Sequence, residues 1–148
     1  MRAGEMLELG HTISEIEAEL KEMQNAMQVF FIVDNLEYLS RGGRISKIGG
    51  FLGNMLKLKP ILSVHAGEIV LFEKVRTSGK AIKRILEELD KHRHNLHKIS
   101  VIHVDAPENA QRMQANLQEA YPVPVYAIEA GPVVGTHLGP GTLGIIFY

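Results

Sequence analysis

Apolar and polar positions follow a helical period in some stretches of the chain and form strand-like runs in others. Residues 3–9 and 13–23 carry apolar side chains on one face and glutamates around the rest, which predicts two helices before any strand. The second helix begins at a capping box formed by Thr12 and Glu15. A pair of helices is therefore expected ahead of the first strand.

Six stretches have the pattern of β-strands. Residues 28–33 form a continuous apolar run, which is typical of a strand buried on both faces. Two of the later strands are joined by a turn at residues 65–68 and predict a β-hairpin. The predicted strands cover residues 28–33, 61–64, 69–76, 99–104, 123–130 and 143–148.

Helical patterns separate these strands. A short helix is predicted after Asp34 and Asn35, either of which can cap it, and Ser46 can cap a further glycine-rich helix. Longer amphipathic helices follow Thr77 and Pro107. The mixture predicts an α/β fold: a three-layer domain in which a mixed, largely antiparallel sheet of about six strands has helices on both faces.

Residues 131–144 contain five glycines and two prolines and are predicted to form a loop. A backbone with so few Cβ atoms can approach a ligand closely, and Thr136 and His137 can donate to an acidic head group. Residues 139–144 match the spacing G-x-G-x-x-G, but a dinucleotide site needs a helix directly afterwards, and only residues 145–148 remain. We interpret them as a tight turn that leads into a strand.

A second candidate for anion binding is the turn in which Arg41 and Arg44 flank two glycines. A predicted helix N-terminus follows at Ser46 and could add to the attraction for an anion. The turn is not a P-loop, because the Gly-Lys-Ser/Thr ending is absent. On residue types alone, a connection between two helices with solvated arginines explains the segment better.

The amino-acid composition argues against several classes of function. The net charge is −1, aromatic residues make up 6% of the chain and tryptophan is absent, so nucleic-acid binding is not expected. The absence of cysteine excludes disulfides and thiolate metal sites and favours a cytoplasmic protein. No apolar run has the length of a membrane span. Neither a cofactor nor a bound metal is expected.

The remaining histidines do not indicate a catalytic or metal centre. His92, His94 and His97 lack the i, i+4 spacing of a metal pair and lie at a predicted helix end, where cations meet the helix dipole favourably. His103 lies in a buried-looking strand and is interpreted as structural. No acidic residue is placed by the sequence to complete a catalytic triad with the adjacent threonine and histidine of the glycine-rich segment.

Four motifs occur in order along the chain. They are Phe-Ile-Val-Asp-Asn-Leu-Glu-Tyr-Leu-Ser-Arg-Gly-Gly-Arg-Ile-Ser at residues 31–46, Leu-Lys-Pro-Ile-Leu at 58–62, Lys-Val-Arg-Thr at 74–77 and Gly-Pro-Val-Val-Gly-Thr-His-Leu-Gly-Pro-Gly at 131–141. Together they resemble the DegV family of bacterial lipid-binding proteins, across essentially the whole chain. The resemblance implies a non-enzymatic protein that binds a long-chain fatty acid and presents it to a fatty acid kinase subunit.

Family members of this kind have two α/β domains with the fatty acid between them. By this resemblance, residues 27–148 are the C-terminal domain, and residues 1–26 are helices that connect it to an N-terminal domain preceding Met1. That domain is a further expected partner, because it carries hydroxyl residues that hold the carboxylate. The chain alone is therefore expected to bind lipid weakly or not at all.

The resemblance also assigns roles to individual residues. His137 and Thr136 are placed at the carboxylate end of the lipid, and Arg44 lies near the head group, which reverses the interpretation of the arginine turn. Arg76 is a surface arginine near the mouth, where it contacts the kinase or a phosphate. Four residues are candidates for the acyl-chain wall: Ile45, Phe51, Leu52 and Met55.

Two other functions remain open. One is an enzyme that acts on a small acid or phosphoester with His137 as general base. The other is an interaction domain that forms a dimer through the apolar face that an N-terminal domain would cover.

Overall fold

The structure is a computed structural model that describes residues 2–44 and 58–148. The glycine-rich helix predicted from Ser46 lies outside these residues. Among the described residues, no helix is long and apolar enough to cross a membrane.

A six-stranded sheet forms the middle layer, with strand order β3-β2-β1-β6-β4-β5. Among the strands of the described residues, only β4 and β5 pair in parallel, so the sheet is mixed and largely antiparallel, as predicted. Its central strand β1 is the apolar run whose pattern indicated burial on both faces. The strands are β1 (Gln28–Ile32), β2 (Lys59–His65), β3 (Glu68–Val75), β4 (Ile99–His103), β5 (Val125–Glu129) and β6 (Leu143–Phe147).

The predicted hairpin joins β2 to β3 through Ala66 and Gly67. Both residues have positive φ, 51° and 79°, as a type I′ turn requires. His65 pairs with Glu68 at the base of the turn, so the hairpin is confirmed with its two-residue connection.

The helices occupy both faces of the sheet, which confirms the three-layer prediction. Phe30 and Ile32 of β1 face one apolar cluster with α4 and α5, whereas Phe31 and Val33 face a second cluster with α3 and α6. Residues 132–138 were predicted to be loop, and this prediction is wrong, because they form α6. The helices are α1 (Arg2–Glu8), α2 (Ile13–Ala26), α3 (Glu37–Arg41), α4 (Ser78–Asp90), α5 (Pro107–Ala120) and α6 (Pro132–Leu138).

The first two helices pack against each other but present apolar side chains to solvent. The capping box at Thr12 is present, and Arg2 binds Glu19 at 2.7 Å. No residue of α2 is buried, and Ile13 is 72% exposed. The apolar face of α2 therefore contributes little to the core of this chain.

The C-terminal ends of α4 and α5 are tied together by Tyr121. Its hydroxyl donates to Asp90 Oδ1 at 2.9 Å. Arg93 Nε donates to the same oxygen at 2.9 Å, while its guanidinium lies over the Tyr121 ring, 4.3 Å from the centroid. Burial raises the pKa of Tyr121 from 10.0 to about 12, and the hydrogen bond to Asp90 adds to the effect.

We predict that Tyr121→Phe lowers the free energy of unfolding by about 2 kcal/mol at pH 7, because it removes a hydrogen bond to a charged group. The contribution of the hydroxyl is complete below pH 10.0 and is lost as the pH rises towards about 12, since the tyrosine ionises first in the unfolded chain. Denaturant unfolding at several pH values measures both effects.

Tyr126→Phe is the matched control, because Tyr126 is 43% exposed and its ring keeps its contact with Lys98 in the phenylalanine form. Its stability at pH 7 should stay within about 0.5 kcal/mol of the parent. Equal losses in the two variants would contradict a special role for the Tyr121 hydroxyl.

Candidate functional site

The arginine turn is the C-terminal cap of α3. Gly43 donates its N–H to Ser40 O at 3.1 Å, and Arg44 donates its N–H to Leu39 O at 2.9 Å. This pair of bonds defines a Schellman motif, and Gly43 occupies its left-handed position with a φ of 68°. At the other end of α3, Asn35 Oδ1 accepts from Glu37 N at 2.8 Å. The short helix is thus closed at both ends by local hydrogen bonds.

Helix α6 places Thr136 and His137 on different sides. It begins with Pro132 in its first turn and ends at Gly139, where φ is 79°. The Thr136 hydroxyl donates to Val133 O of the same helix at 3.0 Å and is exposed. His137 instead lies against α3.

Glycine makes the close approach of α3 and α6 possible. A Cβ on Gly42 would overlap the His137 imidazole, with Nδ1 as the nearest atom. On the other side, a Cβ on Gly139 would overlap the ring of Tyr38. Each helix therefore supplies one aromatic side chain that lies on a glycine of its partner.

His137 carries the unusual polar atom of this region. Its Nδ1 is buried and has no hydrogen-bond partner in the part of the chain that the structure describes. A buried polar group without a partner is costly, and this one is held against the backbone of Gly42.

An open cleft of about 550 Å³ adjoins His137. Arg44 contributes a positive charge and Glu68 a carboxylate, while Val133 and Val134, which are 77% and 43% exposed, contribute an apolar wall. The cleft can thus contact an acidic group and an apolar chain at the same time. Its lining residues are Gly43, Arg44, Gly67, Glu68, Ile69, Val133, Val134, His137 and Leu138.

The structure brings together some of the residues predicted for the site. His137 and Arg44 line the same cleft, and Thr136 precedes His137 but points away along α6. Arg76 is exposed at the far end of β3, roughly 23 Å from Ile69 at about 3.3 Å per strand residue. The predicted acyl-chain wall lies outside the described residues, and it comprises Ile45, Phe51, Leu52 and Met55.

Sequence reasoning missed the part of the cleft contributed by α6 and the hairpin. Val133 and Val134 were not predicted as site residues, because their segment was predicted to be a loop. Pro132 after Gly131 is nevertheless a typical start of a helix. Ile69 could not have been found, because only the tertiary fold brings the hairpin beside α6.

The other polar candidates have structural explanations. His103 is buried, and its Nδ1 accepts from Ala106 N at 3.4 Å, as expected for a structural histidine. Residues 139–144 form a turn into β6, in which the buried Thr142 hydroxyl donates to Gly139 O at 2.8 Å. Within residues 2–44 and 58–148, no group of three or more metal-ligating side chains comes together.

The contact between Gly42 and His137 can be tested by a double-mutant cycle. Gly42 has a φ of −76°, which alanine adopts freely, so the cost of Gly42→Ala comes from the imidazole. We expect a loss of about 1–3 kcal/mol in the free energy of unfolding, and recovery of most of it in the His137→Ala background. Denaturant unfolding of the four proteins gives the coupling energy.

Gly4→Ala is the control for this cycle, because a Cβ there meets no atom of residues 2–44 and 58–148 within 4 Å. It should leave stability unchanged or raise it by up to about 1 kcal/mol. If Gly42→Ala cost the same with and without the imidazole, the proposed contact would be wrong.

The chain matches proteins of one family throughout its length. It is 42% identical to the protein DegV of Bacillus subtilis over 149 residues, which are 98% of this chain and 53% of that protein. It is 40% identical to a fatty acid-binding protein of Thermotoga maritima over 147 residues, 96% of this chain and 51% of that protein. The chain thus spans about half the length of these relatives.

The fold agrees with the sequence comparison. A solved structure described as fatty acid binding of a DegV family protein from Thermus thermophilus superimposes with a TM-score of 0.88 at 31% identity. The alignment covers 99% of this chain and 54% of that one. A family model described as that of an uncharacterised protein of the DegV family matches residues 1–148. The chain therefore belongs to the DegV family.

Proposed function

We propose that the cleft beside His137 is one half of a binding site for a long-chain fatty acid. The observation that carries the proposal is that His137 and Arg44 line one cleft together with the exposed valines of α6. A fatty acid supplies both complements, an acidic head and an apolar chain.

The head group would lie at the polar end of the cleft. An imidazole can donate to a carboxylate through an N–H, directly or through water, and Arg44 adds a favourable charge at short range. The Thr136 hydroxyl is occupied by Val133 O, so its part in binding requires a rotation or a water bridge.

The acyl chain would lie along the exposed valines of α6. Full burial of a methylene stabilises by about 0.8 kcal/mol, but an open cleft covers only one side of the chain. The acyl chain would in turn cover the side chains of Val133 and Val134, which are exposed to solvent in this chain. The residues predicted to complete the wall are Ile45, Phe51, Leu52 and Met55.

The relatives support this ligand. A Thermotoga maritima protein at 40% identity is named a fatty acid-binding protein, and the Thermus thermophilus structure is described by its fatty acid binding. Both extend well beyond the part that this chain matches. A site of which this chain forms one wall is consistent with both facts.

The second wall would come from an N-terminal domain, to which residues 1–26 are the connection. The exposed apolar residues of α1 and α2, such as Leu7 and Ile13, fit a segment that packs against a further domain. In this arrangement the residues 27–148 are the C-terminal domain of a cytoplasmic lipid carrier.

The proposed role is binding and presentation, without catalysis by this chain. A fatty acid kinase subunit would phosphorylate the carboxylate and would supply the catalytic groups. Arg76, exposed and remote from the cleft along β3, is the proposed contact for that partner or for a phosphate.

Titration of the ¹⁵N-labelled chain with oleate, followed by NMR, tests the half-site. We expect shifts in α6 and in the turn after α3, with an affinity at least about tenfold below that of the full-length Bacillus subtilis protein measured in parallel. His137→Gln should weaken this binding about threefold to tenfold, because a polar contact to the carboxylate is lost.

His94→Gln serves as the matched control, since His94 is an exposed histidine in the short turn Arg93–Asn95. It should leave oleate affinity unchanged. Affinity of the chain equal to that of the Bacillus subtilis protein would refute a half-site, and shifts confined to another surface would refute this cleft as the location.

A further inference from the structure

Helices α4 and α5 pack on different strands of the sheet. α4 packs on β1, β2 and β3, whereas α5 packs on β4 and β5. Between them lies a cleft of about 730 Å³, on the opposite face of the sheet from His137. Ile32 of β1 and Leu143 of β6 form its floor.

Apolar side chains from both helices form the walls. Ile82 and Leu86 of α4 are half-buried and face Met113 and Leu117 of α5 across the cleft. Met113 and Leu117 belong to the main core cluster, and Ile82 and Leu86 pack against it. The volume lies within the range of about 300–1,000 Å³ that is typical of small-molecule sites.

The two ends of the cleft differ in their lining. Tyr121, fixed to Asp90, lines one end, where α4 and α5 are tied together, and the polar side chains of Ser78, Asn109 and Arg112 line the other. The cleft extends along α4 from Ser78 to Leu86, which is about 12 Å at 1.5 Å per helix residue. An occupant with its body in the cleft is therefore limited to a short or medium chain.

The polar end carries a positive potential. Arg112 lines it and donates to Asn109 Oδ1 at 3.0 Å, but no carboxylate of the described residues pairs with it. The carboxylate at this end, Asp34, is neutralised by Lys59 at 2.9 Å. The first turn of α4, at Ser78 and beyond, adds the positive end of its helix dipole.

We propose that this cleft is a second ligand site, which takes a medium-chain organic acid with its apolar body on the floor and its carboxylate at Arg112. Apolar walls with a few polar groups at one end are the arrangement by which proteins orient amphipathic ligands. The sheet lies between this site and the cleft at His137, so each site can bind its ligand independently of the other.

Octanoate and octanol are the probes, since they share an apolar chain and differ in the charge of the head. With the ¹⁵N-labelled chain, octanoate below its micelle-forming concentration should shift amides of α4, α5 and the segment around Asp34. Octanol should bind more weakly, because it lacks the charge that Arg112 attracts. Arg112→Gln should reduce octanoate affinity about threefold to tenfold and leave octanol affinity unchanged.

Two further variants locate the site. Asn116→Trp places a large side chain in the cleft from an exposed position of α5, so the protein should fold and lose octanoate binding. Lys83→Gln removes a charge from the outer face of α4, where Lys83 is exposed, and should leave binding unchanged. A circular-dichroism melt of each variant confirms that it is folded.

Three experimental results would contradict the proposal of a second site. Octanoate shifts confined to α6 and the turn after α3 would assign the acid to the cleft at His137 alone and overturn the second site. Equal binding of octanoate and octanol would overturn the acid specificity. Absence of saturable binding below the micelle-forming concentration would overturn the site altogether, whereas failure of oleate to bind at His137 would leave it standing.

Discussion

The contact of the His137 imidazole with the backbone of Gly42 determines how closely α6 can approach α3. Tyr38 makes the reciprocal contact with Gly139. Both contacts depend on the absence of a Cβ, because any side chain at either glycine would separate the helices. The short distance between these helices places Arg44 and His137 in one cleft, so the proposed site depends on two glycines that contact no ligand themselves.

The two faces of the sheet are built differently. On one face, long helices bury a large cluster, and the bonds of Tyr121 with Asp90 and Arg93 hold their ends together. On the other face, α3 and α6 cover a smaller cluster through Leu39 and Leu138 and leave apolar side chains of α6 in solvent. Stability is therefore concentrated on the α4–α5 face, and the thinner face is free to bind a further partner or ligand.

Most secondary structure followed from local patterns. The buried strand β1, the hairpin with Ala66 and Gly67, and the helix capped by Thr77 have strong local causes, namely apolar runs, positive φ and side-chain capping. Helix α6 was missed because five glycines within residues 131–144 outweighed the signal of Pro132. Its helical state depends on packing of Leu138 into the core, which no local pattern reports.

The sequence alone predicts the order and type of nearly every other element and the three-layer fold, and it selects His137 and Arg44 as candidate site residues, since these depend on periodicity and on motifs along the chain. Three features are visible in the tertiary structure alone. The Thr136 hydroxyl bonds within α6, the His137 ring lies on Gly42, and Arg76 follows the far end of β3. The tertiary structure also shows that the valines of α6 line one cleft with the β2–β3 turn, and that a cleft lies between α4 and α5. These features arise from contacts between residues distant in sequence, and their geometry depends on how whole elements pack, which a one-dimensional pattern does not contain.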